Sequence, residues 1–483
     1  VNKVEVQRLK FVLRPSHDRV LIRPFIPGDE NQRYRTISRV MSLGKDEVHV
    51  RLEKVLADFA DRHHNILEEL IEHFTMVKQW TITDAPLSEE QRLLIGAYFT
   101  QEYSLESAAL FNPSIVLHPD QSELPAGAIR FIISLRAIGE GHISSIVFRE
   151  GMITDDFTLR LRRPAPYVTQ PKRIPWQSYD KTLFTRKLAE LNCENSFSAG
   201  VLSKLEDQFS LAELSDAVER AKRRAPASQE ADVTSDGMLT LAYSNYAVSF
   251  RPEQRTSEKA IFPLTPSQSN GIEDARFVLF YDDDGGRRYY GTYTAFDGRM
   301  ILPQLIETED FISFKFITLN GPAAKNKGMA LFPRKINGQY AMISRQDNEN
   351  LYVMYSDNIN FWYDPQLIIH PTFPWEFVQV GNCGSPIELD EGWLVLSHGV
   401  GPMRKYCIGA FLLDKKRPTN VIGRLKEPLI EPNENEREGY VPNVVYTCGA
   451  LRYKERLLIP YAMSDYATGF AFADVKEILD AMV

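Results

Sequence analysis

Cysteine is scarce. The four in 483 residues, Cys193, Cys383, Cys407 and Cys448, form no CxxC pair and have no spacing that suits a disulfide framework or a zinc site. Reduced thiols are the expectation. Long apolar runs are missing too: nothing reaches the roughly 18 residues of a membrane span, and the opening VNKVEVQRLKFVLRP has no apolar segment of signal-peptide type. Nor is there a basic excess. Lys and Arg number 56 against 64 Asp and Glu, a net charge of −8, so the phosphate-neutralising footprint of a general nucleic-acid binder is lacking. These absences point to a soluble, cytoplasmic protein with no nucleic-acid or membrane partner. They leave room for one phosphate in a local basic pocket.

What is present reads as an ordinary folded chain, 43% hydrophobic and 25% charged. Its length exceeds a single core of roughly 100–200 residues, so a large repeat-built domain with an accessory domain is expected. Residues 1–105 read as an α-rich N-terminal accessory domain. A strand-like opening (Val4 to Phe25) precedes an amphipathic stripe, Leu52, Val55, Leu56, Phe59, Ile66, Leu67, Leu70, Ile71 and Phe74, and a capping box at Ser88 and Gln91 opens a further helix. His63 and His64 read as core or surface histidines without ligand spacing.

From Phe111 onward the texture is short strands between turns, among them IRFIISLRA, MLTLAYSNYAVSF, YAMISR, WLVLSHG and RLLIPYAMS. The Asp282–Gly286 run DDDGG predicts a hairpin turn and not a calcium loop. A helical insertion is expected at about 180–230, with a solvated basic end at Lys222–Arg224.

Strand pairs recur near Phe277, Leu331, Ile387 and Val445, at steps of 54, 56 and 58 residues, with an earlier copy near Phe131. That period predicts blades, and hence a mainly β fold: a five-bladed β-propeller over residues 106–483. Each unit delivers one ionisable side chain at the end of a comparable apolar strand: Arg136, Asp297, Arg345, His398 and Asp465. On neighbouring blades these would converge on one channel mouth. Carboxylates grip sugar hydroxyls and move protons; arginines and a histidine hold phosphate. The aromatics Tyr293, Phe296, Trp362, Trp375, Trp393 and Tyr406 suit stacking on sugars, most of them serving as core.

The phrases GIEDARFV (271–278), YTAFDG (293–298), KNKGMALFP (325–333), YAMISR (340–345), GNCGSPIELDEGWLVLSHGV (381–400), EGYVPNVVYTCG (438–449) and PYAMSDYATGFA (460–471), with FNPS (111–114), resemble glycoside hydrolase family 130, over roughly residues 105–480. The resemblance implies cleavage of terminal β-mannosides by inverting phosphorolysis to α-mannose 1-phosphate, with inorganic phosphate as co-substrate and no metal or organic cofactor. It implies that Asp297 is the catalytic acid, protonating the mannosyl 3-hydroxyl, which relays a proton to the departing oxygen. Asp465 would fix the mannosyl hydroxyls, and Asp274 and Arg276, flanking Ala275 where the family has proline, would shape the sugar site with Arg136 and Tyr293. Asn326, Arg345, His398 and Tyr406 match positions around phosphate.

One departure bears on the reaction: Gln379 stands where the phosphorylases place a lysine. Arg404 could supply the missing charge. Alternatively the protein is an inverting β-mannosidase with a carboxylate such as Glu438 activating water, or a non-catalytic glycan-binding propeller. The N-terminal domain could cover the pocket mouth, contact protein partners or mediate homo-oligomerisation.

Overall fold

In the computed structural model, which describes residues 4–83, 85–174, 178–224, 228–298 and 301–483, the fold is mainly β. Among the described residues it holds five antiparallel sheets of four or more strands. The first is built on Ala109–Leu117, Ile129–Ile138 and Ser144–Ile153. The second runs Ile272–Tyr281, Arg287–Phe296, Ile301–Thr308 and Ser313–Thr318, with Tyr246–Ser249 and Lys172–Ile174 outermost. The third runs Ala330–Leu331, Tyr340–Ser344, Leu351–Ser356 and Tyr363–Ile369. The fourth carries Gln379–Asn382, Trp393–Val400, Tyr406–Leu413 and Val421–Arg424. The fifth carries Val445–Tyr446, Arg456–Met463 and Ala467–Asp474.

These strands read as nearly unbroken apolar runs because both of their faces are covered. On the third sheet Met342 packs toward the second sheet, while Ala341 and Ile343 pack toward the fourth. On the fourth, Trp393 and Val395 face the third sheet, and Leu394 and Leu396 face the fifth. The apolar clusters between sheets follow a cyclic order: first on second, second on third, third on fourth, fourth on fifth, and fifth back on first. Emptying one of these positions, for example by Leu394→Ala, would leave a cavity worth about 2–5 kcal/mol.

The N-terminal region has its own helices, Glu30–Met41, Lys45–Phe59, Ile66–Val77 and Glu89–Tyr98, above a strand pair, Ser16–Pro24 with Thr100–Glu106. The Ser88–Gln91 capping box is present. The single stripe expected from Leu52 to Phe74 is two helices, broken where Asn65 takes a left-handed backbone (φ 50°). Strand Val6–Leu13 belongs elsewhere. It pairs with Ala467–Asp474 and is the outer strand of the fifth sheet, so hydrogen bonding does not keep all of residues 1–105 with the helices. A buried ion cluster joins the strand pair to the first sheet: Glu106 accepts from Arg149 at 2.6 and 2.8 Å and ion-pairs with Arg19 at 3.0 Å.

The helical insertion comprises Lys181–Glu190, Ser196–Leu202, Leu211–Arg224 and Gln229–Tyr243. It runs past the expected end. MLTLAY, read as strand, is helical because Met238, Leu241 and Ala242, at i, i+3 and i+4, bury against Leu188, Leu214 and Val218. Asp282–Gly286 is the hairpin turn expected, with Tyr281 paired to Arg287. Among the described residues no helix is long and apolar enough to cross a membrane.

Candidate active site

Side chains from all five sheets line one cavity of about 360 Å³. The innermost strand of each sheet, or the turn leading into it, contributes: Asn112, Asp274 with Arg276, Lys327, Gln379 and Tyr446. The second strand of four sheets adds Arg136, Arg345, His398 and Asp465.

Local backbone irregularity aims several of them inward. Register breaks at Phe111/Ser114 and at Glu273/Arg276 mark bulges, and within them Asn112 (φ 47°) and Asp274 (φ 52°) turn toward each other. Asn112 Nδ2 donates to Asp274 Oδ1 at 2.6 Å. Ser464 and Asp465 (φ 49° and 52°) form a left-handed turn between the paired strands of the fifth sheet. Asn326, Asn348 and Arg404 are left-handed as well.

The fifth, first and second sheets carry the two lining carboxylates, Asp465 and Asp274, together with Asn112, Arg136 and Arg276. Arg136 bonds Glu273 at 3.0 Å and lies 3.5 Å from Asp274, and Lys327 stands 3.4 Å from Glu273. Burial works against the Asp274 carboxylate, but the Arg136 and Arg276 guanidinia and the Asn112 amide outweigh it and hold its pKa below the usual value. Among the described residues Asp465 has no such bond. Burial first, then the Asp274 charge, push its pKa up to about 6.

The third and fourth sheets contribute a cationic and neutral set, and none of their cavity-lining residues is acidic. The His398 ring lies over Gly381, where a Cβ would come within 2.2 Å of it. It stacks on Tyr406 (5.9 Å, 13°) and meets Tyr446 edge-on (5.0 Å, 68°). Burial and the Arg345 and Arg276 charges hold its pKa well below the ordinary value, so the imidazole is neutral. Arg345 Nη1 sits 3.4 Å from His398 Nε2 and donates to the Gln379 side-chain oxygen, whose amide nitrogen in turn donates to the Asn348 carbonyl at 3.1 Å. Arg276 donates to the Tyr446 hydroxyl. The buried Nε atoms of Arg136, Arg276 and Arg345 have no hydrogen-bond partner among the described residues. Arg19, Arg255 and Arg288, away from the cavity, share this feature, so it does not by itself mark a ligand site.

Arg136, Asp274, Arg276, Arg345, His398, Arg404, Tyr406 and Asp465 are thus brought together. Asn326 stands beside the cavity, donating to Asn348 at 2.7 Å. Three further expected residues are, like Asn326, not in its lining. Tyr293 is buried inside the second sheet, its hydroxyl held by Gln268 and Gln304, because strand alternation turns it into the core. Glu438 is exposed on its loop. Asp297 follows the strand Arg287–Phe296, half-buried, off the lining. Trp362 and Trp393 are fully buried core, and Trp375 packs on Gly399 and Gly409.

Asn112, Glu273, Lys327, Asn348 and Tyr446 were missed by sequence reasoning. The Asn residues carried a usable signal, as Asn tolerates left-handed backbone better than other side chains. Tyr446 carried none, since an aromatic after two valines reads as core.

Carboxylates, arginines and a histidine gathered in one cavity suit a carbohydrate-active protein. The profile of the family described as beta-1,4-mannooligosaccharide phosphorylase, glycoside hydrolase family 130, matches residues 234–483, and the chain belongs to that family. The matched span begins later than the resemblance read from the motifs, leaving Ala109–Leu117, Ile129–Ile138 and Ser144–Ile153 of the first sheet outside it.

The chain is 36% identical over 221 residues to the 1,2-beta-oligomannan phosphorylase of Thermoanaerobacter sp. (strain X514), covering 44% of this chain and 72% of that protein. It is 34% identical over 232 residues to the Beta-1,2-mannobiose phosphorylase of the same organism, covering 47% and 74%. A crystallised Beta-1,2-Mannobiose phosphorylase from Listeria innocua superposes with a TM-score of 0.47 at 22% identity, covering 78% of this chain and 92% of that one, an overlap that carries no argument.

Proposed function

We propose that the five sheets are the blades of a five-bladed β-propeller and that the chain cleaves terminal β-mannosides by inverting phosphorolysis. The division of the cavity carries this reading: Asp274 and Asp465 on one arc, Arg345, His398, Gln379, Arg404 and Tyr406 on the other, and no carboxylate among the latter. An inverting hydrolase needs a carboxylate base for water on the face opposite the leaving group. Phosphate needs no base, only a field that tolerates its charge. The phosphorylase activity of the relatives named above agrees with it.

In the proposed reaction the mannosyl hydroxyls sit on the Asp274, Asp465 and Arg136 side. Asp297, which stands off the cavity lining and is assigned as the acid on its YTAFDG motif, gives a proton to the mannosyl 3-hydroxyl, whose own proton passes to the glycosidic oxygen as its bond to the anomeric carbon breaks. A phosphate oxygen, held by Arg345 and His398, attacks that carbon from the opposite face, and α-mannose 1-phosphate and the shortened saccharide leave. The step transfers a mannosyl group and protons with no change of oxidation state, so we assign no metal or organic cofactor.

The deciding experiment incubates the protein with β-mannobiosides, with and without phosphate, and follows mannose 1-phosphate and free mannose. Mannose 1-phosphate made only with phosphate supports the reading; free mannose at equal rates overturns it in favour of hydrolysis. Asp297→Asn is expected to lower turnover about 10²–10⁴-fold with little change in KM, the range of a lost acid catalyst.

A further inference from the structure

We propose that His142 and Tyr440 form an aromatic platform for the sugar on the leaving-group side of the scissile bond, and that the N-terminal strand pair holds it in place. The inference rests on the β-mannoside reading above. Neither residue belongs to the cavity lining, yet each is tied to it through the chain. The strand Ile129–Ile138 carries cavity-lining Arg136, then turns through Gly139–His142. Tyr440 directly precedes Val441, another lining residue.

The two rings lie 6.0 Å apart at 31°, and Tyr440 is 65% exposed. They stand on segments of the first and fifth sheets, the arc that carries Asp274 and Asp465, and away from the cationic arc assigned to phosphate. A ring face left to solvent beside a sugar-binding arc offers apolar contact to the C–H face of a pyranose, and the exposed His142 offers a hydrogen bond to its hydroxyls.

The loop is held on two sides. Ser144 Oγ donates to the Ile272 carbonyl at 3.0 Å, and Gly271 (φ 120°) packs so tightly there that a Cβ would lie 2.2 Å from that oxygen. The Asn270 N–H donates to the Phe296 carbonyl at 2.9 Å, so the same turn abuts the strand end that leads to Asp297. From the other side, Tyr103 on Thr100–Glu106 donates its hydroxyl to the Glu140 carbonyl at 2.7 Å. Gly139 presses on the Ser104 carbonyl, where a Cβ would come within 2.1 Å. His142 itself takes a left-handed backbone (φ 58°), a conformation that costs a non-glycine residue free energy and persists only when its surroundings enforce it. The N-terminal strand pair thereby gains a task at the active site: it fixes the loop that carries His142.

The test runs the reaction in the synthetic direction, with α-mannose 1-phosphate as donor and mannose or mannobiose as acceptor. His142→Ala and Tyr440→Ala are each expected to raise the acceptor KM about tenfold, with the KM for α-mannose 1-phosphate within about twofold of the parent, which also reports an intact fold. Tyr103→Phe, which keeps the ring and loses only the bond to the loop, is expected to move the acceptor KM in the same direction by a smaller factor. An unchanged acceptor KM in both alanine variants of an active parent overturns the platform alone. A parent inert to every mannoside in turnover and in calorimetric binding overturns the function reading and the platform with it.

Discussion

Replacing Asp465 by Asn is expected to make the protein more stable at neutral pH while removing most of its turnover. The Asp465 carboxyl is pushed from 3.8 to about 6, by burial and then by the Asp274 charge, against the pull of Arg136 and Arg404. At about 1.36 kcal/mol per pH unit, the folded state bears about 3 kcal/mol for keeping this group ionised. The sign follows from proton counts. Between 3.8 and about 6 the native chain holds a proton that the unfolded chain has released, so stability falls as pH rises through that window and the full cost stays above it. Asn has no charge to bury.

The measurement is the urea midpoint of parent and variant at about pH 4.5 and about pH 7.5. The variant's advantage should approach about 3 kcal/mol at the higher value and shrink at the lower. Glu69, also raised to about 6 by burial, titrates in both proteins and cancels in the difference. Turnover should fall by roughly 10- to 150-fold, the value of a charge-assisted bond to a sugar hydroxyl. A variant no more stable at neutral pH, or one whose gain persists on acidification, would refute the reasoning.

Arg345→Ala is expected to raise the KM for phosphate by roughly 10- to 150-fold, the worth of a hydrogen bond to a charged group, with the mannoside KM little changed in initial-rate assays. Gln379→Lys puts a further cation beside Arg345 and His398; the expected result is a lower melting midpoint without phosphate and a larger rise on adding phosphate than the parent shows. An equal response to phosphate would mean that position 379 does not face the anion. Glu106→Gln leaves the buried Arg19 and Arg149 without their counter-charge and is expected to cost about 3–5 kcal/mol in chemical denaturation, with kinetic constants unchanged below the transition.

The strand texture was legible because cyclic packing covers both faces of each sheet, which is why WLVLSHGV and RLLIPYAM read as unbroken apolar runs. The repeat that placed Arg136, Arg345, His398 and Asp465 in register was legible for a related reason. Each sits on or just past the second strand of its sheet, and a fixed strand order carries fixed residues to one end. Val6–Leu13 was not legible as part of the fifth sheet, since local pattern says nothing about a partner at the far end of the chain. Met238–Tyr243 misled because β-turn residues at Ser244 and Asn245 and a real strand at Tyr246–Ser249 follow it at once.

The chemistry of the cavity was the harder part, and the reason is electrostatic. Asp274 and Asp465 are both aspartates beside apolar strand residues, one at the start of its strand and the other just past the end, yet one lies below its usual pKa and the other is raised to about 6. The difference comes from Arg136, Arg276 and Asn112, which reach Asp274 only through two bulges more than a hundred residues apart in the chain. The same holds for His398. Its residue type suggested a cation for phosphate, but Arg345 and Arg276 beside it, together with burial, keep it neutral. Gln379 then fits its neighbours. A lysine there would add a charge to a pocket that already holds Arg345 and Arg276, whereas the amide accepts a hydrogen bond from Arg345 and leaves that guanidinium oriented. Gln379 is in this setting a neutral acceptor beside the Arg345 guanidinium, and the response of Gln379→Lys to phosphate tells whether the charge absent there matters.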